Sequence, residues 1–414
     1  MDKPPKVTYC SKCVYPSSSA VPLVFDENNI CSGCKVYGQA KDINWDERKE
    51  MLKKIVSRYK NKGNYDCIIP VGGGKDSYYQ AHYVIEELGL KPLLVTYHGN
   101  NYMDVGERNL EKMRHVFDTD HIIFRPSEVM LKKINKKAFF MMGDMNWHNH
   151  CGIYTYPVQI AVKMNIPLII WGEHGYIDLG GMYSMNDFVE MTRKFRDEHA
   201  CRGYDWDDMT DGQAKLGSNP ARQGGNLGIK EQDVLWAKYP SDKELEDVGV
   251  RGIYLGNFIP WDPYVSTKLI IEKYGWEQFD GEFERTYRKM SNLDDIYENG
   301  AHDYLKYIKF GYGRASDHAS KDIRRGHMTR EEGIEMVKKY DHIKSSDIKI
   351  WLKYVDMTQE EFDRVADTFR DPRVWWIQNG EWWKDNIWGS ASSYGKVHLL
   401  KEQQEKYYIN KVVN

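Results

Sequence analysis

Asp66-Cys67-Ile68-Ile69-Pro70-Val71-Gly72-Gly73-Gly74-Lys75-Asp76-Ser77 is an apolar run that ends in three glycines and passes directly into a helical pattern. Consecutive glycines let a chain reverse tightly and bring bare backbone close to a ligand, because no Cβ intervenes. The helix that follows offers free N–H groups and the positive end of its dipole, which together favour a phosphate. The stretch is not a Walker A loop, which has four residues before Gly-Lys and a hydroxyl directly after the lysine; here Asp76 follows Lys75. Nor does it have the GxGxxG spacing.

Outward from that turn, Lys91–Tyr97, Asp120–Arg125 and Ile166–Trp171 are further short apolar runs. Helical patterns separate them at Asp76–Leu88, Val105–Val116 and Tyr154–Met164. Short apolar strands alternating with helices predict an α/β fold with a doubly wound parallel sheet. A charged amphipathic helix is expected over 46–60, and the Gly-, Asp- and Asn-rich residues 199–228 read as a long binding loop. Beyond Tyr254–Ile259 the pattern is mostly helical. Thr329 with Glu332, and Thr358 with Glu361, stand at capping-box spacing. Arg324 and Arg325 are expected to cap the helix ending at Gly326. Three segments follow: a zinc-binding module at 1–42, the α/β domain at 43–264, and a mostly helical region at 265–414 that completes the substrate site.

Composition narrows the function. The chain has 414 residues, 41% of them hydrophobic, and a net charge of -3. Proteins that coat nucleic acid carry a basic excess, so no nucleic-acid partner is expected. No apolar run approaches the ~20 residues of a membrane helix, and MDKPPKVTYC has no signal-peptide core. Seven cysteines, four of them clustered, suit a reduced cytoplasmic setting.

Cys10-x2-Cys13 and Cys31-x2-Cys34 have the spacing of a structural zinc site. Two intervening residues let both sulfurs of a pair face one ion, and four sulfurs close a tetrahedron. An iron–sulfur cluster also takes four cysteines, and four unrelated thiols remain a further alternative. Cys67 reads as core, and Cys151 and Cys201 as isolated.

Gly73, Gly74, Asp76 and Ser77 resemble the pyrophosphate loop (SGGxDS) of the PP-loop ATP pyrophosphatase superfamily, with Gly72 in place of the first serine. The paired CxxC, Val71–Ser77, Gly249–Tyr264 and Lys309–Glu332 together are similar to the N-acetyl sugar amidotransferases, the lipopolysaccharide and nonulosonate group. That resemblance covers most of residues 8–345. It implies a PP-loop (HUP-like) fold and ATP-dependent conversion of an acetamido group, on a nucleotide-activated N-acetyl sugar, to an acetamidino group. It also implies ATP, Mg²⁺ and Zn²⁺ as cofactors, and ammonia from a separate glutaminase subunit. By the same resemblance Val71, Gly72, Gly73, Gly74, Lys75, Asp76 and Ser77 would hold the phosphates, with Tyr97 and Gly172 beside the nucleotide. Lys75, Asp76 and Glu173 would be catalytic, and Asp76 would hold Mg²⁺.

Candidate substrate residues are Trp147 and His148, ahead of a helix near the ligand edge, and Lys309 and Arg314, in a Gly- and aromatic-rich turn. His148, His150 and Cys151 are an alternative second metal set. The tryptophans at 375, 376, 382, 383 and 388 read as packing against the body or a second subunit. Two rival readings stand: a tRNA-thiolating PP-loop enzyme, which needs a further cysteine pair near the ATP site, and a non-catalytic zinc scaffold with a decayed ATP site.

Overall fold

The computed structural model describes residues 3–99, 102–211, 226–293 and 299–410. Part of the expected loop at 199–228 lies outside them.

Strands β1 (Cys67–Pro70), β2 (Pro92–Tyr97), β3 (His121–Phe124), β4 (Leu168–Trp171) and β5 (Arg251–Tyr254) form one sheet in the order β3-β2-β1-β4-β5. Every pairing in it is parallel. β1, β2 and β4 are almost wholly buried, as apolar runs covered on both faces must be. The expected doubly wound α/β fold is present.

Helices cover both faces. On one, α2 (Trp45–Val56), α3 (Lys75–His82) and α4 (Asp104–Val116) contribute Leu52, Tyr78, Leu110 and Met113 to a core with Ile69, Leu94 and Ile170. On the other, α6 (Trp147–Met164) packs Val158 and Ala161 against Ile68, Leu93 and Val95. Between β3 and α6 lies α5 (Glu128–Met142), which the sequence reading left unassigned.

α7 (Pro263–Tyr274) returns to the sheet beside α3, and Ile270, Trp276, Met290 and Leu293 join the first core. The remaining helices are α8 (Asn299–Phe310), α9 (Arg314–Arg325), α10 (Arg330–Tyr340), α11 (Ile348–Val355) and α12 (Gln359–Asp367). Thr329 and Glu332 close a full capping box at α10, and Thr358 Oγ accepts from the Glu361 N–H at α12.

The expected helical C-terminus holds only to Asp367. Beyond it, β6 (Trp375–Gln378), β7 (Glu381–Asp385), β8 (Ala391–Lys396) and β9 (Ile409–Asn410) form a second sheet in the order β8-β7-β6-β9. Asn379 and Gly380, both at positive φ, make the turn between β6 and β7. An Asn-Gly pair between two β-prone runs is a strong hairpin signal. Trp375 and Trp382 are fully buried, and the Arg370 guanidinium lies 4.2 and 4.8 Å over their rings. These tryptophans are core of a small sheet. No helix among the described residues is long and apolar enough to cross a membrane.

Candidate functional site

The strand order reverses between β1 and β4, and open α/β sheets bind ligands at that switch point, outside the carboxyl ends. The loop after β1 and residues 172–174 after β4 flank it. Gly73 has φ +75°, and a Cβ there would lie 2.8 Å from the Leu110 backbone, so only glycine fits. A Cβ on Gly74 would meet nothing within 4 Å, which leaves the mouth of α3 open. Gly72 donates its N–H to Ser77 Oγ at 2.9 Å. The Tyr102 hydroxyl lies 3.3 Å from where a Gly72 Cβ would stand, so a tyrosine hydroxyl neighbours the position of the missing serine.

Lys75 Nζ donates to Asp76 Oδ2 at 2.6 Å, and Trp261 Nε1 to Oδ1 at 3.2 Å. Burial pulls the Asp76 carboxyl up, but Lys75, Lys321 and Trp261 outweigh it and hold it below the usual carboxylate range. Opposite, Glu173 accepts from Lys321 Nζ at 3.2 Å and from Arg325 Nη2 at 3.3 Å. Both cations come from α9. Arg325 therefore reaches the sheet edge, where the sequence suggested only a helix cap. A cavity of about 290 Å³ opens beside this cluster, with Glu173, His174, Trp261 and Arg325 in its wall. His318, one turn ahead of Lys321, is kept neutral by burial and then by Arg288, Arg314, Lys321 and Lys75. Sequence reasoning missed Trp261, Lys321 and Arg325 as site residues. The quoted strings contain all three, but only the fold brings them to the loop.

Other expected residues fall elsewhere. Tyr97 ends β2, yet its ring is buried 4.8 Å from Trp236, and a Cβ on Gly152 would sit 2.5 Å from it. Only its backbone reaches the ligand edge. Trp147 is buried and donates its indole N–H to the Tyr204 carbonyl at 3.1 Å. His148 is fully buried, with Nδ1 3.3 Å from the Tyr97 hydroxyl. Both are core side chains and do not line a cleft, because the first turns of α6 pack inward.

Lys309 and Arg314 join a separate polar layer. Lys309 lies 3.7 Å from Asp144, which also accepts from His302 at 2.9 Å and pairs with Arg202. Burial, then the nearby Arg202, lowers the Lys309 ammonium to about 8 against the pull of Asp144. Arg314 pairs with Asp303 at 2.7 Å, which Arg285 holds from its other oxygen.

Cys151 and Cys201 are not isolated: they are hydrogen-bonded neighbours, both fully buried, and Arg196 Nη2 donates to Cys151 Sγ at 3.1 Å. Cys151 thus turns away from any set with His148 and His150. Among the described residues, Cys10, Cys13, Cys31 and Cys34 are the one group of three or more such side chains whose ligand atoms converge.

Their geometry fits a single ion. Zn–S bonds of ~2.3 Å place tetrahedral sulfurs about 3.8 Å apart. Cys13 and Cys31 are 3.7 Å apart and Cys10 and Cys34 are 3.9 Å apart. A polynuclear cluster binds each thiolate to a different iron and needs wider spacing. The four cysteines can therefore hold one metal ion, and the alternative of unrelated thiols falls.

Residues 273–387 match the family model described as LPS biosynthesis protein WbpG-like, C-terminal domain. This part of the chain is a WbpG-like C-terminal domain. It supplies Lys309, Arg314, Lys321 and Arg325, and it begins just after α7. The match bears out the family resemblance read from Lys309–Glu332. No curated protein matches the chain. One similar solved structure is the U34-tRNA thiolase NcsA from Methanococcus maripaludis with its 4Fe-4S cluster, at 12% identity, 79% coverage of this chain, 87% of that chain and a TM-score of 0.26. The fold assignment here rests on the sheet itself.

Acid should test the buried histidines. Burial, reinforced by Arg114, lowers His121 to about 4; burial, with His199, lowers His174 to about 4; burial, with Arg202, lowers His150 to about 3. Each is neutral in the fold but protonates near 6.5 when unfolded, so unfolding takes up protons below pH 6.5. Stability is complete above that pH and is lost as it falls toward 4. At 1.36 kcal/mol per unit, the three together cost on the order of several kcal/mol by pH 4.5. The melting temperature is expected to fall by about 5 °C or more between pH 7 and 5. A flat profile would show that these rings are hydrated.

Proposed function

We propose that the chain is an ATP-dependent, AMP-forming amidotransferase that converts an acetamido group of a nucleotide-activated N-acetyl sugar to an acetamidino group. The observation that carries this reading is the open glycine turn with its Lys75–Asp76 pair, facing a Glu173 engaged by two cations of the WbpG-like domain. The proposal assigns segment 1–42 to a zinc module, 43–264 to the ATP pyrophosphatase domain and 265–414 to completion of the substrate site. It places the reaction in surface-polysaccharide or nonulosonate synthesis, in the cytoplasm.

An amide carbon is a poor electrophile because its oxygen leaves badly. Attack by that oxygen on the α-phosphorus of ATP forms an O-adenylyl imidate and expels pyrophosphate. Ammonia then adds to the imidate carbon and AMP departs. The turn's N–H groups and Lys75 stabilise charge on the departing pyrophosphate. Asp76, a half-exposed hard oxygen donor, is the residue placed to hold Mg²⁺, which would neutralise phosphate charge when bound. Glu173 sets Lys321 and Arg325 beside the turn. Val71, Gly172 and the Tyr97 backbone complete the nucleotide pocket. Lys309 and Arg314 contact the sugar nucleotide once binding loosens their pairing with Asp144 and Asp303. Ammonia comes from a separate glutaminase subunit, and the four cysteines hold zinc.

A tRNA-thiolating role gains a cysteine pair in Cys151 and Cys201, but both sulfurs are sealed from solvent and engaged with Arg196 and each other. A sulfur carrier needs an accessible thiol. The test is incubation with ATP, Mg²⁺, ammonium and a panel of nucleotide-activated N-acetyl sugars. The reading requires AMP and pyrophosphate in equal amounts, dependent on the sugar. ADP, or no nucleotide product with any sugar, would end it.

A further inference from the structure

The four-cysteine site has a fifth participant. Arg324 of α9 approaches three of the four sulfurs: Nε lies 3.5 Å from Cys34 Sγ, and Nη2 lies 3.6 Å from Cys31 Sγ and 3.9 Å from Cys13 Sγ. The fourth sulfur is served differently. Cys10 Sγ accepts from the backbone N–H groups of Lys12, Cys13 and Cys31 at 3.4, 3.4 and 3.3 Å. Local backbone satisfies one thiolate, and a single side chain some 290 residues away satisfies the other three.

The sequence makes room for this contact. Gly33 lies between Cys31 and Cys34 at an ordinary negative φ, so its backbone does not require glycine. A Cβ at Gly33, however, would stand 2.3 Å from Arg324 Nη2 and 2.7 Å from its guanidinium carbon. Glycine there is the space the guanidinium occupies. The Arg324 head is buried, and its Nη1 donates to the Leu179 carbonyl at 3.0 Å. From the next helix, Arg330 Nε donates to the Cys13 carbonyl at 3.1 Å and its Nη2 to the Cys10 carbonyl at 3.2 Å.

Charge explains the arrangement. A divalent ion with four thiolates carries two net negative charges, and all four cysteines are buried. A buried anion needs a counter-charge and hydrogen bonds. The planar guanidinium supplies both, and its fork reaches several sulfurs at once where a lysine ammonium would serve one.

We propose that Arg324 is the positioning residue of the metal centre: it completes the tetrathiolate electrostatically and makes metal binding a clamp between the N-terminal module and α9. The clamp has a consequence at the sheet edge. Arg324 lies between Lys321 and Arg325 in sequence, and those two hold Glu173. Fixing Arg324 on the sulfurs fixes the rotation of α9, and therefore where its cations stand. This proposal goes beyond the assigned reaction and does not depend on it.

The test uses the full-length, metal-loaded protein with Arg324→Met, Arg324→Lys and Gly33→Ala. Outer-shell partners of metal ligands are worth ~10–100-fold in metal affinity. Arg324→Met is expected to release zinc to a chelating dye at least about tenfold faster than the parent, with Arg324→Lys recovering part of the loss. In the cobalt(II)-substituted protein, loss of N–H···S donors should move the sulfur-to-metal charge-transfer band to lower energy. A role confined to helix packing would leave that band in place. Amides of Arg314–Arg325 should exchange faster in Arg324→Met even with metal bound. If Arg324→Met does not fold, Gly33→Ala reads the same contact, since it displaces the guanidinium without removing a ligand or a charge. Parental zinc release and an unshifted cobalt band, in whichever of these variants folds, would overturn the proposal.

Discussion

Asp76→Asn is expected to lower the release of AMP and pyrophosphate from ATP by at least about 10³-fold while the protein stays folded. The substitution keeps the shape and the oxygen that accepts from Trp261, but removes the negative charge. Two consequences follow. Lys75 loses the carboxylate that holds its ammonium at 2.6 Å, so its charge is no longer aimed along the turn. The site also loses the hard anionic oxygen that the proposed mechanism assigns to Mg²⁺. Metal-borne charge stabilisation is worth several kcal/mol in such displacements, and each 1.36 kcal/mol is tenfold in rate. Stability should hardly change, because the Asp76 side chain is 41% exposed and makes no buried contact that Asn cannot make. The measurement pairs product quantification on ion-exchange chromatography with a thermal melt. Turnover within tenfold of the parent, at an unchanged melting temperature, would remove Asp76 from the mechanism.

How far such a site can be read in advance depends on sequence distance. The turn after β1 was legible because its cause is local: an apolar run, three glycines and a helix start lie within twelve residues. The cysteine site was legible because ligand spacing within each pair is also local. Lys321 and Arg325 were not, although both lie inside a quoted string. Their partner Glu173 is about 150 residues away, and nothing in a helix's periodicity says which of two neighbouring arginines faces a sheet edge. Arg324 and Arg325 looked alike as helix-ending cations, yet one meets sulfur and the other a carboxylate.

Tyr97, Trp147 and His148 mark the opposite failure. Each stands at the right end of its element, but position along an element does not give the direction of a side chain. The rings turn into the interface of β2 with α6, where Gly152 is the space the Tyr97 ring fills. The pairing of Cys151 with Cys201 was hidden for the same reason. The C-terminal sheet was a missed local signal. Asn379-Gly380 between two tryptophan-rich runs states a hairpin in its own right, and five crowded indoles drew attention from the turn.

Cys31→Ser tests the other end of the molecule and should have the largest effect on folding. Its sulfur is fully buried, 3.7 Å from Cys13 and within reach of Arg324. A serine hydroxyl stays protonated at neutral pH and is a poor ligand for a borderline-soft ion, so the site falls from four anionic donors to three. Structural zinc contributes ~10–16 kcal/mol to folding in small zinc modules, and losing one ligand forfeits much of it. The first 38 residues bury few large side chains of their own. Tyr15 packs edge-on against Tyr312 and donates to Asp317, so most of what they touch belongs to the C-terminal region. The variant is expected to purify with far less than one metal per chain. It should melt on the order of 10 °C lower and be cut by trypsin within residues 1–42. Cys67→Ser is the control: that thiol is equally buried in β1 but lies outside the cluster. It should cost ~1–3 kcal/mol for the buried hydroxyl and keep its metal. Metal analysis of the two proteins side by side separates loss of a ligand from loss of packing. Cys31→Ser folded with a full equivalent of zinc would mean that the tetrathiolate does not hold this part of the fold together.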